Sequence, residues 1–376
     1  MKITVRTGLD RIADGEVKLP KQRYGFVTAA HARSADGQSA RLILQDNLRY
    51  LFSPEHGLDG AAPAGQKVQS SRDSLTGLPV HSLYQSMGEE TIPGSISEEL
   101  DAIIYDLPDV GVRFYTYVST FLQILDLCAE LGKPLFVLDR PNPLGGEILE
   151  GPVLKTDELS FVGAYTLPIR YGLTIAEIGK LYIHEKNLSV EFEIIECDGW
   201  QRTMLFPETG QVFTIPSPNL PNFAACLLYP GTCLFEGTNL SEGRGTARPF
   251  SWFGAPYIDR QDLFEFAQTL DAPGIAFRPQ SYLPSSSKHS GEVCHGLAIE
   301  VLDPKAVRMT QTVLQILDHL DERYEAFEIL SPFDPTSVTF MHRLLGKDGI
   351  QAPYSKETAE DHEVFRQRMQ NCLIYD

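Results

Sequence analysis

No cluster of lysines and arginines occurs anywhere in the 376 residues, and the formal net charge is −18. A phosphate lattice or an anionic membrane surface needs a basic stripe, so neither nucleic acid nor a membrane is expected as a partner. No apolar run is long enough to span a bilayer, and Met1-Lys2-Ile3-Thr4-Val5-Arg6 lacks the apolar core of a signal peptide. The chain therefore reads as cytoplasmic, or as secreted or periplasmic if a leader has been removed from it. Its six cysteines (Cys128, Cys197, Cys226, Cys233, Cys294, Cys372) show no C-x-x-C spacing, and its nine histidines are dispersed. That pattern excludes a disulfide framework and a zinc site, leaving reduced, mostly buried thiols; no metal and no cofactor are expected. The first strand is not followed by G-x-G-x-x-G, and G-x-S-x-G is missing, so neither a dinucleotide fingerprint nor a serine nucleophile elbow is present.

What is there is ordinary globular composition, 43% hydrophobic and 22% charged, in a chain longer than one core usually supports. Short apolar runs at Gly25–Thr28, Tyr50–Phe52, Ala102–Tyr105 and Leu135–Leu138 read as buried parallel strands. Val118, Phe121, Leu122, Leu125 and Cys128 recur at helical spacing, and Gly132 with Pro134 supplies a stop. Thr174-Ile175-Ala176-Glu177 is a capping box that opens another helix. Strand, helix and strand in that order predict an α/β, Rossmann-like, doubly wound sheet. After about residue 205 the segments become turn-rich, with a helix expected at Asp262–Leu270 and a strand at Leu297–Leu302. A further helical stripe includes Val307, Leu314, Leu317 and Leu320. The expectation is a catalytic domain over residues 1–220 and a smaller α+β C-terminal domain over 221–376 that completes its cleft.

Three of the expected strands end in polar clusters: Ser53-Pro54-Glu55-His56, Asp106-Leu107-Pro108-Asp109 and Asp139-Arg140-Pro141-Asn142. In open α/β sheets ligands bind outside the carboxyl ends of the strands, so three such clusters on one edge point to a site. Glu55, between Pro54 and Gly57, is the leading acid/base residue, since a carboxylic acid held against apolar walls suits general-acid work near neutral pH. As an isolated residue it would more readily cap a helix or pair with an arginine; His56 and the two neighbouring clusters favour a functional role. Asp109 to Tyr117 brings together a carboxylate, Arg113, Tyr115 and Tyr117. These groups grip a sugar ring, or else form an N-cap, its ion-pair partner and packing. Asp139, Arg140 and Asn142 likewise serve as ligand contacts or as a loop brace.

The stretch from Glu236 to Thr246 carries three glycines, Asn239, Glu242 and Arg244, but lacks the P-loop lysine and spacing. Two glutamates would repel phosphate. A neutral or singly anionic polar ligand fits this loop better.

Phe52-Ser53-Pro54-Glu55-His56-Gly57, Asp109 through Tyr117, Asp139-Arg140-Pro141-Asn142-Pro143, Pro216-Ser217-Pro218-Asn219 and the blocks from Tyr229 to Thr246 together resemble the exo-β-N-acetylmuramidase (NamZ-like) family. The chain departs from the family pattern at Ala29, where Asn is usual, and at Pro108, where Gln is usual. Phe213-Thr214-Ile215 stands where a tryptophan commonly precedes Pro-Ser-Pro-Asn. The resemblance implies a glycoside hydrolase that removes N-acetylmuramic acid from non-reducing ends of peptidoglycan fragments, working in a cleft between a Rossmann-like and a C-terminal domain. It also implies that Glu55 is the catalytic glutamate, with a muropeptide or amino sugar as the partner molecule.

Glycosidases need one carboxylic acid to protonate the leaving oxygen and a second carboxylate, roughly 5 Å away for retention or 6.5–9.5 Å for inversion. Glu55 fills the first role; Asp106, Asp109, Glu236 and Glu242 compete for the second. The catalytic set is taken as Glu55, His56, Asp106 and Glu236. The substrate-binding set is Asp109, Arg113, Tyr115, Tyr117, Asp139, Arg140, Asn142, Asn219, Asn239, Glu242 and Arg244. Muramic acid carries a lactyl carboxylate, so an arginine fork is expected, with Arg113, Arg140 and Arg244 as its candidates. A non-catalytic muropeptide binder, or an enzyme on another amino sugar, would keep the same arginines and tyrosines.

Overall fold

A computed structural model describes residues 5–62, 65–66, 68–84, 92–332, 337–347, 350 and 356–376. Its first sheet contains β1 (Tyr24–Thr28), β2 (Leu48–Ser53), β3 (Ser71–Arg72), β4 (Pro79–Ser82), β5 (Ala102–Asp106), β6 (Leu135–Leu138) and β7 (Phe192–Ile195). The order is β3-β4-β2-β1-β5-β6-β7, parallel throughout except for β3 against β4. Helices α1 (Gly8–Ala13), α2 (Ala40–Leu44), α3 (Gly94–Ser97), α4 (Tyr117–Leu131) and α5 (Ile175–Lys186) accompany it.

Alternation along each strand sorts side chains to two faces. Tyr24, Phe26, Ile104, Phe136 and Leu138 pack with Leu9 of α1 and Leu44 of α2. Val27, Ile103, Tyr105 and Val137 pack with Phe121 and Leu125 of α4 and Ile178 of α5. Both faces are covered, which makes the sheet doubly wound. Helix α4 ends where Gly132 takes φ 62 and returns its N–H to the last turn; α5 begins with the Thr174–Glu177 capping box in place.

The second part contains α6 (Phe223–Thr232), β8 (Trp252–Ala255), α7 (Arg260–Ala267), β9 (Ile275–Tyr282), β10 (Cys294–Val301), α8 (Met309–Arg323), α9 (Phe340–Leu345) and α10 (Lys356–Met369). Its strands form an antiparallel sheet in the order β8-β10-β9. Helix α7 starts two residues before the expected Asp262 because Asp259 caps it, accepting from the amides of Gln261 and Asp262. Val307 lies ahead of α8 and is buried there as part of the core rather than of the helix stripe. Strand β9 escapes pattern reading because Arg278-Pro279-Gln280 interrupts it; proline is tolerated on this edge strand. Helix α6 runs through Pro230 in a segment that reads as turn-rich, its residues from Ala225 to Thr232 all buried.

One apolar core continues from Val27 and Phe121 through Leu227 and Leu234 to Leu297, Leu314 and Leu317, so the two sheets are welded rather than tethered. The chain end returns to the first sheet: the Ile374 amide donates to Glu177 Oε1 at 2.9 Å, and the Tyr375 hydroxyl to Asp139 Oδ2 at 2.6 Å. Strand order reverses at β1, which has β2 on one side and β5 on the other. The crevice of such a sheet opens at that switch point, where Thr28 and Asp106 lie side by side.

Candidate active site

The carboxyl end of β2 turns sharply. His56 adopts φ 70 and Gly57 φ 76, two consecutive left-handed residues, and the Gly57 amide closes the turn onto the Pro54 carbonyl at 3.0 Å. Left-handed backbone is costly for histidine, and such outliers gather at functional sites. A ring contact at 2.8 Å between His56 Nδ1 and the Ala62 carbonyl anchors the strained residue. Glu55, 6% exposed, is thrust forward by this turn. Its Oε1 accepts from the Gly65 amide at 2.8 Å, and its Oε2 lies 2.6 Å from the Thr116 hydroxyl. Thr116 is the N-cap of the 15-residue helix α4, whose free amides favour negative charge at that end. The Tyr117 hydroxyl donates to the Glu55 carbonyl at 3.4 Å, and its ring stacks on His31 at 5.7 Å. Burial, then the charges of Arg140 and His56, push His31 down to about 3, so it packs there as a neutral ring.

The ends of β5 and β6 are different. Asp106, fully buried, receives Arg140 as a fork, Nε at 2.5 Å and Nη2 at 2.9 Å. Asp109 accepts from the Gly111 amide at 2.9 Å and from the Tyr171 hydroxyl, and burial pushes it up to about 6. Asp139 accepts from Tyr375 and from the Ala176 amide, and burial pushes it up to about 7. Asn142 bridges the Leu173 carbonyl at 2.8 Å and the Leu144 amide at 2.9 Å. Gly111, at φ 77, passes so close that an added Cβ would lie 2.4 Å from Asn142 Oδ1. Asp109, Asp139, Arg140 and Asn142 enclose a space of about 10 Å³, room for roughly one water.

Arg113 is 1% exposed and donates to the carbonyls of Pro152 at 2.7 Å, Leu167 at 2.6 Å and Leu344 at 2.5 Å. With no carboxylate among these partners, burial pushes its guanidinium down to about 9. Tyr115 donates to the Pro216 carbonyl at 2.8 Å, and its ring lies 4.6 Å from that of Tyr117.

In the glycine-rich stretch, Arg244 is clamped between Glu236 at 2.8 Å and Glu242 at 3.0 Å and lies over the Phe250 ring. Glu242, 1% exposed, also takes Lys288 at 3.0 Å. Asn239 braces the segment from Ala326 to Glu328 and accepts from Tyr257. Asn219 is half-buried in the connecting segment next to Leu220.

A cavity of about 600 Å³ opens between the β2 end and the second domain. Of the residues singled out in the sequence, it brings together Glu55, His56, Tyr115, Glu236 and Arg244. Asp106, Asp109, Arg113, Tyr117, Asp139, Arg140, Asn142, Asn219, Asn239 and Glu242 do not border it. Asp106, Asp139, Arg113 and Arg140 have protein partners. Thr116 and Tyr229, which lie inside motifs singled out above without a role, and Tyr84, Phe161, Phe250, Phe340 and Arg343, which lie outside them, complete the wall. Thr116 sat inside a motif already singled out; Arg343 carries no motif signal at all. Among the described residues no group of three or more His, Cys, Asp or Glu side chains gathers as metal ligands. No helix of the described residues is long and apolar enough to cross a membrane.

Comparison with known proteins gives these features a context. The family model described as "Exo-beta-N-acetylmuramidase NamZ, N-terminal" matches residues 25–224, and its C-terminal counterpart matches residues 227–375. The peptidoglycan β-N-acetylmuramidase NamZ of Bacillus subtilis (strain 168) is 39% identical over 336 residues, 88% of this chain and 81% of that one. Two crystal structures of DUF1343 family proteins from Bacteroides fragilis NCTC 9343 are similar in fold. One has a TM-score of 0.89 at 26% identity over 100% of both chains, and the other 0.75 at 25% identity over 99% of both. With both halves matched in order and a relative this similar over most of its length, the chain belongs to the exo-β-N-acetylmuramidase NamZ family.

Proposed function

We propose that the chain hydrolyses the glycosidic bond of a terminal N-acetylmuramic acid at the non-reducing end of peptidoglycan fragments. The observation that carries this reading is a single cavity bordered by Glu55 from the first domain (1–220) and Glu236 from the second (221–376). Its volume lies in the range that holds a small ligand, and Tyr84, Phe114, Tyr115, Phe161, Tyr229 and Phe250 supply aromatic faces for sugar rings.

Glu55 is the general acid. The Gly65 amide can only donate, which commits Oε1 to accepting and leaves Oε2 to carry the proton. The Thr116 hydroxyl beside Oε2 accepts from the acid and donates to the carboxylate, so the site accommodates both states of the catalytic cycle. Proton transfer to the glycosidic oxygen lets the bond to the anomeric carbon break as positive charge develops on the sugar. Glu236, oriented by Arg244, is the second carboxylate that stabilises this charge or activates water. His56, Tyr115 and Arg244 contact the sugar. Asp106, Asp109, Arg113, Tyr117, Asp139, Arg140, Asn142, Asn219, Asn239 and Glu242 hold the walls in place. Six buried, free cysteines support a reducing, cytoplasmic location.

The test is incubation with peptide-free glycan fragments that end in N-acetylmuramic acid. Release of that monosaccharide, detected by mass spectrometry, is expected; internal cleavage only, or no cleavage, overturns the proposal.

A further inference from the structure

An anionic sugar in a chain of net charge −18 needs local positive charge, and the arginines near the cleft differ in what they can still offer. Arg113 spends its fork on three carbonyls. Arg140 is forked onto Asp106, and Arg244 is neutralised by two glutamates. Arg343 borders the cavity, is half-buried and has no carboxylate partner among the described residues. Its side-chain contact is Nη2 to Ser337 Oγ at 2.7 Å, and Ser337 borders the same cavity.

The two residues that flank Arg343 are tied to the first domain. His342 Nε2 lies 2.5 Å from Glu158 Oε2, and the Leu344 carbonyl takes Arg113 Nη2 at 2.5 Å. Thr339 caps the short helix α9 by accepting from the His342 amide at 3.0 Å. Buried Arg113, which has no carboxylate partner among the described residues, thus serves to fix the backbone that presents Arg343. A guanidinium fork with donors to spare matches a carboxylate in two parallel hydrogen bonds.

Building on the muramidase reading, we infer that Arg343 is the specificity-determining residue that receives the lactyl carboxylate of N-acetylmuramic acid. N-Acetylglucosamine lacks the lactyl group and gains nothing from this contact.

The test measures kcat and KM on chromogenic β-glycosides of N-acetylmuramic acid, its lactyl amide and N-acetylglucosamine, together with calorimetric binding of the three free sugars. Arg343→Met is expected to lose about 30-fold or more in kcat/KM on the muramide, chiefly through KM, as truncation of one partner in a buried charged pair does. The amide and the glucosaminide should change by less than about threefold, because neither offers a charge to the fork. Arg343→Lys, which keeps the charge but not the fork, should fall between wild type and Arg343→Met on the muramide and match wild type on the other two. Equal loss on all three sugars, or no loss on the muramide, overturns the inference; a poorly folded Arg343→Met leaves the lysine variant to decide by the same criterion. If wild type hydrolyses none of the glycosides, the hydrolase reading fails while binding still judges Arg343. Weakened binding of N-acetylmuramic acid alone upholds its role, and unchanged binding overturns it.

Discussion

The carboxyl ends of β2 and of β5 with β6 look alike in sequence and have opposite fates in the fold. At β2, the Glu55 carboxyl meets two neutral hydrogen-bond partners among the described residues and faces a cavity of about 600 Å³. At β5 and β6, Asp106 is met by a bidentate arginine, and Asp109 and Asp139 close around a space of about 10 Å³. Similar strand-end carboxylates thus differ in what reaches them from elsewhere in the chain.

The contrast is broken most sharply by removing each carboxylate in turn. Glu55→Gln should lower kcat by about 10²- to 10⁴-fold, the usual contribution of a positioned acid, with melting temperature nearly unchanged. Asp106→Ala should do the reverse: it strands Arg140 in a mostly buried place and costs about 3 kcal/mol in denaturant unfolding, with kcat of the folded fraction preserved within about tenfold. Large stability loss in the first variant, or none in the second, would erase the distinction.

Next in size is a pH effect. Burial raises Asp139 to about 7 in the folded chain, whereas an unfolded aspartate titrates near 4. Between about pH 4 and 7 the native state therefore holds a proton that the unfolded state has lost, and this contribution to stability falls as pH rises. Asp109, raised to about 6, acts with the same sign. Asp139→Asn should gain roughly 2–4 kcal/mol relative to wild type between pH 5 and pH 8 in guanidinium unfolding. Parallel pH profiles would contradict this. The smallest effect is expected of Tyr117→Phe. It removes a 3.4 Å hydrogen bond to the Glu55 carbonyl and a hydroxyl contact with Tyr115, and should cost about 1 kcal/mol in unfolding and about twofold in kcat.

Much of the fold was legible because its signals are local. Short apolar runs mark β1, β5 and β6, and the Thr174–Glu177 box and Gly132 mark helix ends in place. The tertiary partners of the strand-end carboxylates were not, because they are distant in the chain. Arg140 lies 34 residues from Asp106, Tyr171 62 from Asp109, and Tyr375 236 from Asp139. A polar cluster at a strand end carries no record of such partners. Arg343 was missed for the complementary reason: it sits in a six-residue helix without a motif and reaches the cavity only through tertiary packing. The motif around Glu55 stood out because a turn with two left-handed residues demands a conspicuous local sequence, here His56-Gly57.

The claim that Glu55 is a general acid is tested most directly by leaving-group dependence. β-N-Acetylmuramides with a nitrophenyl and with a more acidic dinitrophenyl leaving group are compared in wild type and Glu55→Gln. The variant should lose about 10²-fold or more on the poorer leaving group, yet stay within about tenfold of wild type on the better one, which departs without a proton. Equal loss on both substrates, or full activity on both, would contradict it.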